Sequence, residues 1–371
     1  MGKPIIRHTL EALPKKIDEV VIVEPENGCI SRELDTRDLR FEVEFRKQKE
    51  PRGTWEAILI GAKDCDSDFL VLSAHHFSTD AIERVLKGRG MKLLFSQVDN
   101  PRDYGVGIFD EGRLVGIMEK PERPPSNLAL NSIYLFSPEF VRLLEKISRR
   151  RRDEHMLEEA LSLYASEHEV EYEVIPKEEV PSLKYPWHAL QLMKKLVSKA
   201  RGRVDGDVSE SAVIESKVVI EEGAKVMENA VIKGPAYIGR GAVIGTGALV
   251  REACVEEKAV VGFSSEVARS ILSRGVKLHH NYVGDSVLGE NVRMGYGAVT
   301  ANRRMDGKPV KAMVNGRKVV AGEKFGCAIG KGTSIGVNAM IMPGVLIGRE
   351  TKIYPGVVVK ENIPDRGCVR W

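Results

Sequence analysis

The sequence predicts two domains, an α/β domain over residues 1–200 and a parallel β-helix of hexapeptide repeats over residues 206–371. Three observations predict this. Aliphatic residues recur at every sixth position through Val208, Ile214, Ile220, Val226, Ile232, Ile238, Ile244 and Val250. The phase resumes at Val276, Tyr282, Leu288 and Met294, and again through Ile329, Ile335, Ile341, Ile347, Ile353 and Val359. Before residue 200, strand-like and helix-like segments alternate, the mark of an α/β sheet.

The first domain reads in order. Strands are expected at 19–24, 41–45, 68–73 and 91–98, where β-branched and aromatic residues concentrate. Helical patterns lie at 5–13, 55–63 and 79–87. A hairpin follows, 105–109 with 114–118, turning at Asp110-Glu111-Gly112. Residues 128–136 form another strand, 138–147 and 154–165 two helices, and 171–175 a strand. A helix at 187–199 leads into a charged, glycine-containing linker at 200–206.

A period of six suits neither a helix nor an alternating strand. Three short strands per turn make coils of about eighteen residues, stacked roughly 4.8 Å apart. The aliphatic anchors then fill a triangular prism. Small residues such as Ala212, Ala224, Ala230, Ala236, Ala242, Ala248, Ala298 and Ala339 fit its corners. Cys254 reads as one more of these packed corner residues. The phase is lost at 256–275 and at 301–328, and such excursions are where a solenoid places binding groups.

Composition narrows the function classes. The net charge of +3, with 29% charged residues, is too balanced for a nucleic-acid partner. The one basic run, Arg149 to Arg152, reads as a solvated loop between helices. No apolar stretch approaches the ~20 residues that span a membrane, and no signal-peptide core is present. Five cysteines without metal-ligand spacing fit a reducing, cytoplasmic setting.

The interruptions bracket a polar cluster. His279, His280, Asn281 and Tyr282 precede Gly284-Asp285, and Asn302, Arg303, Arg304, Lys308 and Lys311 follow one coil later. Coil stacking places the histidines and Asn302 on neighbouring rungs of one face. A neutral imidazole can take an amine proton, and lysine and arginine can hold phosphate.

The segment HHNYVGDSVLGENVRMGYGAVTANRRMDGKPVK, followed by regular hexapeptides, resembles the acetyltransferase domain of bifunctional glucosamine-1-phosphate acetyltransferase / N-acetylglucosamine-1-phosphate uridylyltransferases, the archaeal type above all. The resemblance implies a left-handed β-helix, a homotrimer and acetyl-CoA bound between subunits. It implies His279 rather than His280 as the catalytic base. Tyr282 and Asn302 match the sugar-side residues, Lys308 and Lys311 the loop lysines. Arg269, in SSEVARSIL, matches a phosphate-binding cation. The family's small coenzyme-contacting residue is Tyr296 here.

The first domain resembles the family's Rossmann-like sugar-phosphate nucleotidyltransferase half. The matching pieces are Gln48 with Gly53-Thr54 on the nucleobase side, DFLVLSAHH, Tyr104-Gly105, EKPERPPSN and YPWHAL. The family's first strand and its Gly-rich phosphate loop precede the point where this sequence starts. Its two metal-binding aspartates are His75 and His188 here, and its Asn-x-Gly is Leu130-Asn131-Ser132. Mg²⁺ prefers oxygen ligands, so its binding is doubtful. His75 and His188 read as two relics rather than as a transition-metal pair. Loss of the first strand leaves two sheet edges unpaired, unless the sheet rearranges or a partner fills the gap.

The expectation is therefore an acetyl-CoA-dependent N-acetyltransferase acting on an amino-sugar 1-phosphate, with a degenerate nucleotidyltransferase-like domain. Two alternatives stand beside it: a fully bifunctional enzyme, or a regulatory subunit that senses sugar nucleotides and pairs with an active nucleotidyltransferase paralogue.

Overall fold

The computed structural model describes every residue except 151, 152, 154 and 216. Two members of the basic run and the expected first residue of the helix at 154–165 therefore lie outside the described residues. Two compact units emerge, one of residues 3–182 and one of residues 1–2 with 183–371. The helix before the repeat thus belongs with the β-helix, and the division falls earlier than the expected residue 200.

In the first unit the order is α1 (Ile5–Glu11), β1 (Glu19–Pro25), α2 (Cys29–Glu33), β2 (Glu42–Gln48), α3 (Thr54–Gly61), β3 (Phe69–Leu72), α4 (Thr79–Leu86) and β4 (Lys92–Gln97). Then come β5 (Gly105–Asp110), β6 (Arg113–Glu119), β7 (Leu128–Phe136), α5 (Pro138–Ser148), α6 (Met156–Glu167) and β8 (Glu171–Ile175). Every expected strand and helix is present. The short α2 was not expected. The main sheet runs β6-β5-β7-β4-β8, and β3 pairs antiparallel with β7. β4, buried at every residue but Gln97, lies between β7 and β8, which accounts for the apolar Leu93, Leu94 and Phe95 at its middle.

β1 and β2 form a parallel two-stranded sheet of their own. Among the described residues, β1 pairs only with β2, and β3 only with β7. All four residues of β3 are only half-buried, as expected of an apolar strand with one unpaired edge. Helix α1 ties this region together. Its Leu10, and Leu13 just beyond its end, share a core with Ile22, Phe41, Ile82 and Val85. Thr9 Oγ1 donates to the Ala74 carbonyl at 2.7 Å.

The second unit opens with α7 (Pro186–Lys199) and continues as a left-handed parallel β-helix with three sheet faces. Ile220, Ile232, Ile238, Ile244 and Val250 are completely buried in the prism, as are the small corner residues Ala224, Ala230, Ala242 and Ala248. One face, carrying Val219, Tyr237 and Cys254, packs against Met193 and Val197 of α7. Cys254 therefore sits on a strand under a helix, and Ala253 is its fully buried neighbour. The second face presents Asp207, Lys225, Lys277, Arg293 and Lys352 outward. The third is aliphatic at most of its outward positions, with Val213 53%, Met340 44% and Val358 38% exposed, and is interrupted by Glu266 and Tyr282.

The two phase losses differ in kind. Across residues 256–275 the pairing never breaks; the coils shorten. Val231 pairs with Leu249, eighteen residues on, Leu249 with Glu266, seventeen on, and Glu266 with Tyr282, sixteen on. The shortening moves the phase, so Val283 takes the inward slot at 0% exposure and Tyr282 turns outward. The second loss is a true excursion. It contains an antiparallel hairpin, Val310–Val314 with Arg317–Gly322. Asn315 and Gly316 both have positive φ at its turn, the backbone a two-residue hairpin loop needs. Val310 and Ala312 are buried against Trp187 and Phe325.

Candidate active site

The shortened coils set side by side residues that are far apart in sequence. Ala268 pairs with Gly284, so Arg269 stands beside Asp285 at the following corner. Tyr282 pairs with Val299, so Asp285 stands beside Asn302. Arg269 Nε and Nη2 each donate to an Asp285 carboxylate oxygen at 2.7 Å, a two-pronged ion pair. That pairing pushes the Arg269 pKa above its ordinary value. The Asn302 amide donates to Asp285 and, at 3.2 Å, to the Tyr282 hydroxyl. Gly284 makes room for this. A Cβ there would lie 2.5 Å from the Tyr282 hydroxyl oxygen and 2.8 Å from Asn302 Nδ2.

His279 and His280 occupy the corner at the other end of this strand. Their neighbour on the next coil is Tyr296, whereas Asn302, expected beside them, lies at the following corner next to Asp285. The His280 ring stacks on Tyr296 at 4.7 Å, and His279 meets Tyr296 edge-on at 6.0 Å. Phe263 stacks on the far side of His280 at 6.2 Å. The backbone of His279 passes close over Gly262, where a Cβ would stand 3.2 Å from its Cα. So Asn302 bonds Tyr282 directly, Asp285 links both to Arg269, and His279 stands at the preceding corner. Asn281, Gly284 and Asp285 stood in the expected polar cluster without a role, and the ring contact of Tyr296 was not anticipated.

Lys308 and Lys311 are exposed on the excursion, with Arg303 beside them in sequence. None of the three makes an ion pair among the described residues, whereas Arg304 is held by Asp306 at 2.5 Å. These unpaired cations can meet an anion. Cys327 is buried, and burial pushes its thiol up to about 12, which disfavours the thiolate.

In the first unit Gln48, Gly53 and Thr54 do come together, at the start of α3. Gln48 Nε2 donates to the Gly53 carbonyl at 3.3 Å and to Glu56 at 2.8 Å. Gly53 has φ 130°, a conformation that favours glycine. His75 is half-buried against the ring of His76, and burial lowers its pKa. His188 belongs to the other compact unit, where its Nδ1 accepts the Lys184 N–H at 3.2 Å. Among the described residues no group of three or more His, Cys, Asp or Glu side chains is gathered for a metal ion. These imidazoles do not fit Mg²⁺, which selects oxygen ligands.

Comparison with known proteins decides the family. A nucleotidyl transferase profile matches residues 1–189, a GMPPB C-terminal domain profile residues 214–319, and a bacterial transferase hexapeptide profile residues 326–361. A bifunctional protein GlmU from Methanocaldococcus jannaschii is 34% identical, over 99% of this chain and 90% of the relative. The chain belongs to this GlmU-like family of bifunctional nucleotidyltransferase/acetyltransferase proteins. A bifunctional sugar-1-phosphate nucleotidylyltransferase/acetyltransferase from Sulfurisphaera tokodaii is 36% identical over 98% of the chain and 91% of the relative. A UTP–glucose-1-phosphate uridylyltransferase, AglF, from Haloferax volcanii is 30% identical over 44% of the chain and 71% of the relative. No helix among the described residues is long and apolar enough to cross a membrane.

Proposed function

We propose that the β-helix of this GlmU-like protein transfers the acetyl group of acetyl-CoA to the 2-amino group of an amino-sugar 1-phosphate, glucosamine 1-phosphate first among them. The observation that carries this reading is the outward line of Tyr282, Asn302 and the Arg269–Asp285 pair, with an imidazole one corner away. The names of the bifunctional relatives support the same chemistry.

In this mechanism the amine nitrogen attacks the thioester carbonyl. A new C–N bond forms, the C–S bond breaks, and His279 accepts the amine proton and returns it to the departing thiolate. A backbone N–H of the β-helix steadies the oxyanion. Tyr282 and Asn302 orient the sugar. Lys308 and Lys311 meet the phosphate or the coenzyme. Arg269 spends two donors on Asp285 and keeps Nη1 for a phosphate oxygen.

Copies of the chain associate as a closed trimer through the aliphatic face. The helix-covered face is occupied and the charged face suits water, which leaves the third for assembly. The nucleotidyltransferase half carries His75 and His188 where carboxylates would hold the metal ions that neutralise a phosphoryl transition state, so it does not form sugar nucleotides.

An assay of thiol release from acetyl-CoA, with amino-sugar 1-phosphates as acceptors, tests the reading. Release with glucosamine 1-phosphate is expected; no release with any amino-sugar 1-phosphate overturns it. Light scattering checks the trimer. Pyrophosphate release from UTP or dTTP with a sugar 1-phosphate and Mg²⁺ checks the first half. Steady turnover near the enzyme median of ~10 s⁻¹ would refute its inactivity.

A further inference from the structure

The register places a small residue in one buried corner slot on coil after coil. Pairing aligns Ala230, Ala248, Ser265, Asn281, Ala298 and Ala339 in a single column. The alanines and Ser265 are at most 1% exposed. An amide fills this slot on one of these coils, the one that carries His279. Burying an amide among alanines is costly unless every polar atom is matched.

Here every polar atom of the side chain is matched, and each bond bears on the histidine corner. Asn281 Oδ1 accepts the backbone N–H of His279. Among the described residues it is the only acceptor for that N–H. Asn281 Nδ2 donates to the Gly295 carbonyl at 2.7 Å and to the Ala298 carbonyl at 2.9 Å, both on the coil that carries Tyr296. The Asn281 N–H donates to Ser265 Oγ at 3.0 Å on the coil before. One side chain thus clamps the backbone of His279 to the coil whose tyrosine meets its ring. The prism does not require the amide, because alanine or serine serves on the other coils of this column.

We propose that Asn281 is a positioning residue for the acetyl transfer, acting by fixing the backbone of His279 and hence the direction of its imidazole. This rests on the reading of His279 as the base. Asn281 touches no reactant itself. Its oxygen orients the residue that does, while its nitrogen ties the corner to the next coil. Misplacement of a reacting group by about 1 Å costs on the order of 10²-fold in rate. The loss should fall on kcat and spare the KM of both substrates.

The test uses the full chain with Asn281→Ala and Asn281→Ser. Both replacements occur naturally in the same column, so the coil accommodates them. Each is expected to keep the wild-type oligomer and to lower kcat by roughly 10–10²-fold, with the serine variant milder and KM changed less than about twofold. In a His279→Ala background, Asn281→Ala should lower the remaining rate by less than about twofold, because its effect passes through the histidine. An unchanged kcat in Asn281→Ala, or an equal loss with and without His279, overturns the proposal. NMR of histidine-labelled protein separates this from the assignment of the base. One sharp set of His279 ring signals should broaden or double in Asn281→Ala. If His279→Ala keeps full activity, the assignment of the base fails and the catalytic proposal falls with it. If His279→Ala is inactive but the ring signals of Asn281→Ala stay sharp, the positioning role alone fails.

Discussion

The side-chain amide of Asn302 donates to the hydroxyl of Tyr282 at 3.2 Å, and both groups lie over Gly284. Two residues from successive coils are joined by a bond that depends on a missing side chain. Gly284 does not need a left-handed φ here; its role is to leave space.

Gly284→Ala should therefore separate the pair without unfolding the prism. The new methyl would press on the Tyr282 hydroxyl, whose ring must swing away. Acceptor KM should rise, or kcat/KM fall, by about 10–10²-fold, the scale of a lost orienting interaction. Steady-state kinetics with saturating acetyl-CoA would show this. Unchanged acceptor kinetics would mean that the Tyr282–Asn302 contact does not shape the sugar site.

His279→Ala should lower acetyl transfer by roughly 10²–10⁴-fold, the usual worth of a general base. His280→Ala should do less, since that ring is stacked between Phe263 and Tyr296. Equal losses, or the reverse order, would assign the proton transfer to the wrong ring.

Asp285→Ala should destabilise the β-helix. It strands the partly buried guanidinium of Arg269, whose raised pKa reflects the hydrogen bonds it donates to Asp285. Breaking one side of a buried pair costs on the order of 3 kcal/mol. Replacing both partners by apolar residues, Arg269→Met with Asp285→Leu, should recover much of that loss. Thermal denaturation of the single and double variants measures it, and additive losses would contradict the pairing.

Glu158 on α6 gives a pH signature. Its Oε2 is buried without a hydrogen-bond partner among the described residues, and desolvation raises its pKa, with Glu119 adding to the shift. The native state therefore holds this proton at pH values where the unfolded chain has released it. That contribution is complete below the unfolded carboxylate pKa of about 4.3 and declines as pH rises towards the native value. Glu158→Gln should flatten the decline. Identical pH profiles for the two proteins would show that the carboxyl is not strained.

Much of this was legible in the sequence, and the reasons are physical. The hexapeptide period leaves few ways to bury Ile232 or Ile341, so the prism followed directly. The hairpin was missed although Asn315-Gly316 between Val314 and Arg317 is a strong turn signal. The long excursion drew attention to its charges instead. Tyr282 read as an inward anchor because it keeps the six-residue phase. Pairing across shortened coils, which no local pattern records, put Val283 inside. The same shortening hid the Arg269–Asp285 pair, whose members are sixteen residues apart instead of eighteen. Asn281 looked like one polar residue among several until its slot was seen to be filled by alanine or serine elsewhere.

The loss of one residue, then two, per turn works like the offset between the scales of a vernier. Each side chain faces inward or outward according to how many residues precede it around the prism, as well as by its own chemistry. The reactive line on the third face is thus written by a count. A lineage could move or erase it by adding or removing single residues in the turns before Tyr282, leaving every side chain of the line unchanged.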